Sequence, residues 1–161
     1  MIIKVLFVCL GNICRSPMAE AVMRHKVKEA GLSDRIHVDS AGTGDWHIGK
    51  PPHEGTREIL KQYNVDDTGM RARQVSGHDY SEFGYIIAMD DSNMRNLAAL
   101  APGAHKAEVK KLLDFVPARN SGDVPDPYYT GNFEEVYDMV EESCTSLLAY
   151  ICDKEGINLG K

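Results

Sequence analysis

Cys9-Leu10-Gly11-Asn12-Ile13-Cys14-Arg15-Ser16 joins two segments of different character. Before it runs an apolar stretch, Val5-Leu6-Phe7-Val8-Cys9, which reads as a buried strand. After it come Pro17 and then Met18, Ala19, Ala21, Val22 and Val27, which read as a helix. A thiol therefore sits where a strand ends and an arginine where a helix starts. The residues between them, Leu10, Gly11, Asn12, Ile13 and Cys14, can wrap into a loop whose backbone N–H groups point inward. Such a nest, closed by a helix N-terminus, holds a phosphate-like dianion. Arg15 can add a planar two-pronged contact to its oxygens. A positive field of this kind favours a thiolate. The stretch thus reads as a nucleophile, Cys9, held beneath an electrophilic phosphorus.

Competing readings lack their parts. A nucleotide-binding loop would end in Gly-Lys-Ser/Thr or carry G-x-G-x-x-G, and neither is present. A zinc knuckle needs closer cysteines than Cys9 and Cys14, and a second pair nearby. A cysteine at a strand end is otherwise a small buried hydrophobe, but that reading leaves Arg15, Ser16 and Pro17 unexplained.

The run Val8-Cys9-Leu10-Gly11-Asn12-Ile13-Cys14-Arg15-Ser16-Pro17 resembles the signature of the low-molecular-weight protein tyrosine phosphatases. The resemblance continues through Val38-Asp39-Ser40-Ala41-Gly42-Thr43, Trp46, Ala72-Arg73-Gln74, Tyr85-Ile86-Ile87-Ala88-Met89-Asp90 and Asp126-Pro127-Tyr128-Tyr129, in the family's order. It spans essentially the whole chain. It implies hydrolysis of phosphotyrosine esters on protein substrates through a phosphocysteine on Cys9, with no cofactor and no metal.

Composition is consistent with that. The 161 residues are treated as one domain, 1–161, with 43% hydrophobic and 26% charged residues. The start, Met-Ile-Ile-Lys, runs straight into a strand without a signal-peptide pattern, and no stretch is long enough for a membrane helix. Four cysteines, two of them in one loop, do not resemble a secreted disulfide framework, so a cytoplasmic protein with a reactive thiol is expected. A net charge of −6 without a basic run argues against nucleic acid as a partner. Attraction for a dianionic substrate must then be local. A monomer or weak self-association is expected.

Along the chain, strands alternate with helices. Strands are expected at Ile2–Val8, Ile36–Ser40, Tyr85–Met89 and Val109–Phe115, and helices at Pro17–Ala30, His53–Tyr63, from Asp90 to Leu100, and at Phe133–Glu155. Residues 116–132 read as one long irregular loop. The series predicts an α/β fold, a doubly wound parallel sheet with helices on both faces. The resemblance implies four strands in the order 2-1-3-4. Ligands of such sheets bind beyond the carboxyl ends of strands, where the loops bearing Cys9, Ser40–Trp46, Asp90 and Asp126 gather.

Displacing a phenoxide needs a proton donor. Asp126, between Pro125 and Pro127, matches the acid of the family's Asp-Pro-Tyr-Tyr motif, although Asp-Pro alone is also a turn former. Asn12 tolerates a left-handed backbone, and the resemblance gives it the task of holding the loop. Ser16 can donate its hydroxyl to Cys9, or simply cap the helix. Ser40 resembles a further member of that network. Met70 stands where the family often has histidine. Asp90 or Glu20 is expected to orient Arg15, with helix capping as the other role of Asp90.

Trp46, Tyr128 and Tyr129 lie in polar, Gly/Pro-rich loops and are expected to wall a crevice deep enough for a phenyl ring. Ile13 lines the same cradle, where a phosphoarginine-hydrolysing branch carries threonine. Cys14 can pair with an oxidised Cys9, a switch the resemblance implies, or be a packing residue. Cys144 and Cys152, eight apart on one helix, cannot bond each other. His47 and His53 flank the loop after Trp46 and can touch substrate, with surface residues as the preferred reading. The remaining alternatives are a phosphoarginine phosphatase, an arsenate reductase, or a non-catalytic phosphate-binding or thiol-redox module. Arsenate reduction needs relay cysteines near the third strand, and 74–112 contains none.

Overall fold

In the computed structural model, which describes residues 2–116 and 122–158, strand β1 (Ile3–Cys9) lies near the centre of the sheet. Its side chains alternate between faces. Val5, Phe7 and Cys9 join one core cluster, and Leu6 and Val8 join another. Helix α1 (Arg15–Glu29) follows, then β2 (Ile36–Gly42), α2 (Glu54–Gln62), the single turn α3 (Asp79–Glu82) and β3 (Tyr85–Ala88). Helix α4 (Asp91–Leu100), β4 (Glu108–Lys111), the single turn α5 (Pro127–Thr130) and the long α6 (Phe133–Glu155) complete the series. The four strands are all parallel and stand in the order β2-β1-β3-β4, as expected.

The larger cluster buries Met18, Val22, Val140, Leu147 and Ile151, so α1 and α6 cover one face. The smaller cluster contains Tyr80 and Leu97, which puts α3 and α4 on the other. The first half of α1, Arg15 to Met23, is buried all round, because sheet, α2 and α6 enclose it. That is why its apolar residues show no clean stripe. The helix opens at Arg15, two residues before Pro17. Proline is tolerated there because first-turn N–H groups have no partner within the helix.

Two segments differ from the sequence expectation. The stretch expected as a strand over Val109–Phe115 pairs only through Lys111 and then turns into a 3-10 helix over Leu112–Phe115. Leu112 and Leu113 are both buried, and Asp114 accepts the backbone N–H of Lys111 at 3.0 Å. Adjacent residues of a strand point to opposite faces, whereas the 3-10 turn lets Leu112 and Leu113 both bury in the cluster that contains α6. The expected loop over 116–132 contains α5. Asp126 caps it, Pro127 opens it, and Gly131, at φ 74°, ends it. The part of that loop at 117–121 lies outside the described residues.

The packing of α6 generates a prediction. Leu147 is fully buried, so Leu147→Ala should lose about 2–5 kcal/mol in chemical denaturation. Ser143, one turn earlier, is equally buried, but its hydroxyl has no hydrogen-bond partner. Ser143→Ala should therefore raise stability by about 1 kcal/mol, from relief of an unpaired polar group and better helix propensity. A loss of stability there would show that the hydroxyl is satisfied in solution.

Candidate active site

The cradle is shaped by what happens to its carbonyls. The Cys9 and Leu10 carbonyls accept from Thr43 and Gly44 N–H, both at 2.9 Å, just beyond β2. The Ile13 carbonyl accepts from His53 N–H at 2.7 Å, and the Cys14 carbonyl from the Thr56 hydroxyl at 3.2 Å, both at the start of α2. With these oxygens turned outward, the planar peptides turn their N–H groups inward. Asn12, at φ 57°, supplies the left-handed step that closes the curve.

Behind the loop runs a directional hydrogen-bond chain. Asn12 Nδ2 donates to Ser16 Oγ at 2.8 Å and to Ser40 Oγ at 2.9 Å, and Asn12 Oδ1 accepts from Arg73 N–H at 2.9 Å. Ser40 donates to Glu20 Oε1 at 2.6 Å. Ser16 Oγ also stands 3.0 Å from Cys9 Sγ, where it is the donor once the sulfur is a thiolate, and 3.4 Å from the Ala41 carbonyl. The hydroxyl beside the sulfur is thus placed by groups on three strands and loops.

Arg15 is 2% exposed. Its Nη1 donates to Asp90 Oδ2 at 2.6 Å and to the Val124 carbonyl at 3.0 Å, while Nη2 stands 3.4 Å from Asp126 Oδ2. Nε is buried without a partner. One guanidinium edge is therefore anchored, and the Nε/Nη2 edge remains for a two-pronged ligand. Burial works against the Arg15 charge, but Cys9, Asp90 and Asp126 together raise its proton affinity above the usual arginine range. Asp90 does both things expected of it: its other oxygen accepts from Asn93 N–H at 2.8 Å and caps α4. Glu20 does not orient Arg15. It bonds Ser40 and Arg24 instead, and burial pushes its carboxyl up.

Cys9, Leu10, Gly11, Ile13, Cys14, Trp46, Asp126, Tyr128 and Tyr129 line one cleft of about 310 Å³. Asn12, Arg15 and Ser16 lie buried behind it. The structure thus brings together every site residue expected from the sequence. Cys9 and Cys14 are free thiols. Burial, aided by Cys9 and Asp126, pushes the Cys14 thiol up to about 12. Met70 is buried in the main core. Among the described residues no cluster of acids, histidines and cysteines can hold a metal, and no helix is long and apolar enough to cross a membrane.

Of the two histidines, His47 belongs to the site's wall and His53 backs it. His47 lines the cleft against Gly11 and meets Tyr128 with ring centroids 6.1 Å apart. His53 stacks on Phe133 at 5.3 Å and meets the edge of Tyr128 at 5.8 Å. Thr56 and Arg73 hold the loop from outside it. Their only sequence signals were the helix start after Pro52 and the Ala-Arg-Gln motif.

Comparison with known proteins agrees with this geometry. A family model described as low molecular weight phosphotyrosine protein phosphatase matches residues 4–156. The low molecular weight protein-tyrosine-phosphatase YfkJ of Bacillus subtilis is 55% identical over 149 residues, 92% of this chain and 96% of that protein. The YfkJ crystal structure superposes with a TM-score of 0.93, at 53% identity, covering 96% of this chain and 97% of that one. The low molecular weight protein-tyrosine-phosphatase PtpA of Staphylococcus aureus is 49% identical over 158 residues, 98% of this chain and 99% of that protein. A Drosophila arginine phosphatase shares the fold with a TM-score of 0.84 at 35% identity, covering 92% of this chain and 98% of that one. A thiol-bearing cradle, a family match over residues 4–156 and these relatives lead to one conclusion: the chain belongs to the low molecular weight protein-tyrosine-phosphatase family.

Proposed function

We propose that the protein hydrolyses phosphotyrosine on protein substrates, with Cys9 as nucleophile and Asp126 as general acid and base. The observation that carries the reading is the placement of Cys9 and Asp126 on the lining of one aromatic-walled cleft, with the Arg15 guanidinium buried directly behind it, 3.4 Å from the Asp126 carboxyl. The Cys9 sulfur attacks phosphorus as the bond to the phenolic oxygen breaks. Asp126 gives its proton to that oxygen, and the phosphoryl group stays on sulfur. Water then attacks phosphorus, Asp126 takes a proton from it, and the sulfur leaves as thiolate. Ser16 donates to that thiolate. Arg15 and the N–H groups of Leu10, Gly11, Asn12, Ile13 and Cys14 bind the equatorial oxygens, where charge develops in the transition state.

Ile13, Trp46, Tyr128 and Tyr129 favour an aryl ester over a phosphoguanidine. A ring fits between these aromatic and apolar walls and buries its carbon surface there, whereas a guanidine has little apolar surface to bury and polar N–H groups to desolvate. The reading invokes no cofactor or metal. It places the protein in the cytoplasm, where a reactive thiol stays reduced.

Cys14 is a proposed guard for Cys9. If a peroxide oxidises Cys9 to a sulfenic acid, the Cys14 thiol can condense with it, forming a disulfide and releasing water. A dithiol then restores both.

Purified protein should turn over p-nitrophenyl phosphate and phosphotyrosyl peptides faster than phosphoarginyl peptides, and Cys9→Ser should abolish both phosphotyrosine activities without unfolding the chain. Arg15→Lys should cost about 10²–10³ in kcat, because an ammonium cannot serve Asp90, Val124 and two phosphoryl oxygens together. Near-normal turnover by Cys9→Ser would remove the covalent mechanism, and near-normal turnover by Arg15→Lys would remove Arg15 from phosphate binding.

Asp126→Asn should slow phenyl phosphate about 10²–10⁴-fold. An activated ester, whose leaving group needs little proton assistance, should be slowed far less. Equal losses on both substrates would reduce Asp126 to its part in capping α5.

After a peroxide pulse, dithiothreitol should restore the wild type, whereas Cys14→Ser should lose activity irreversibly. Full recovery of that variant would remove Cys14 from the protective role.

A further inference from the structure

Trp46 has two sides. It lines the catalytic cleft, and with Leu10 it also lines a second groove of about 360 Å³. That groove is completed chiefly by Thr43, Val75, Asn96 and Leu100, which come from the loop after β2, from the bridge beside it, and from α4. Trp46 is 66% exposed, as expected of a partition open to solvent on both sides.

The partition is firmly placed. A Cβ at Gly44 would lie 1.9 Å from Trp46 Cζ3, so the indole rests directly on the Gly44 backbone. Gly44 N–H in turn donates to the Leu10 carbonyl at 2.9 Å. The wall between the two hollows is thus tied to the cradle itself.

We infer that this second groove is a specificity subsite, which takes an uncharged side chain flanking the phosphotyrosine of a protein substrate. The inference rests on the reading of the cleft as a phosphotyrosine site. Three observations select the occupant. The groove adjoins the cleft across Leu10 and Trp46, so a residue flanking the phosphorylated one is within reach of it. Same-side residues of an extended chain stand about 7 Å apart, enough to straddle an aromatic partition. None of the lining residues carries a charge, although the chain has 42 charged side chains, 18 basic and 24 acidic. Apolar walls from Leu10, Val75 and Leu100 suit an aliphatic or aromatic side chain, while the exposed Asn96 amide can meet peptide groups. An acidic flanking residue would lose hydration there without gaining a cation.

The test compares p-nitrophenyl phosphate, which fills only the catalytic cleft, with phosphotyrosyl hexapeptides carrying leucine or glutamate at each position within two residues of the phosphotyrosine. Wild-type kcat/KM should favour leucine over glutamate by about tenfold at one flanking position. Leu100→Glu, at an exposed site, should abolish that preference and leave turnover of p-nitrophenyl phosphate unchanged. Asn96→Trp, which fills the groove, should do the same and guards against a folding defect in the first variant. Turnover of p-nitrophenyl phosphate without any flanking preference, or a preference that survives both variants, overturns the subsite and leaves the phosphatase reading intact. Equal loss on both substrates also overturns it, by showing that the groove acts on the cleft rather than on the peptide. Absence of turnover by the wild type overturns both.

Discussion

A guanidinium taken out of water has to be compensated on every side. Arg15 begins α1, directly behind the sheet's edge, and is almost wholly buried. Asp90 reaches it from the end of β3, the Val124 carbonyl from the segment after β4, and Asp126 from the cap of α5. Removing any of these would leave a buried cation short of a partner. Three connections distant in sequence are therefore held to one point by the same charge that a phosphate would meet. The arrangement also explains how an acidic chain can attract a dianion: the positive potential is confined to the cradle, while the −6 net charge belongs to the whole surface.

The second constraint is the placement of the loop's peptide groups. Its carbonyls are occupied by N–H and hydroxyl groups from the β2 loop and the start of α2. Asn12 fixes the curvature by its own backbone and, through both ends of its amide, by Ser16, Ser40 and Arg73. Preorganised donors of this kind cost no reorganisation when charge develops. The chain from Glu20 to Cys9 also places each hydroxyl, so the donor to the thiolate is positioned before a substrate arrives.

The aromatic walls are more exposed than the cradle they surround. Trp46, Tyr128 and Tyr129 are largely exposed, and the two tyrosines share the short turn that Asp126 caps. Acid and wall are thus parts of one element. The Asp126 carboxyl and two of the aromatic walls share α5, whereas the cradle is tied to the sheet. Loops of this kind tolerate sequence change better than the elements they connect.

Much of this was legible in the sequence because it is local. Cys9 and Arg15 stand at the ends of one strand–loop–helix unit, and the alternation of elements implies a parallel sheet whose loops share an edge. The resemblance of the flanking motifs supplied the strand order and singled out Asp126 among the acids of its segment. Asp-Pro also reads as a helix start, but its setting among Pro, Gly and Asn favours an irregular loop by composition. The tertiary structure alone decided the rest. Asp90 and Glu20 were equivalent candidates for Arg15 until distance separated them, since a carboxylate's type says nothing about which cation it reaches. His53 supports the cradle through its backbone N–H, a group every residue but proline carries, so its identity held no signal. Leu112 and Leu113 fit a strand by composition, but an open sheet edge and the underside of α6 made burial of both in a 3-10 turn the better arrangement. Trp46 could be named as a wall from its loop. That it has a second face on a second hollow follows only from how the loop folds back onto Leu10 through Gly44.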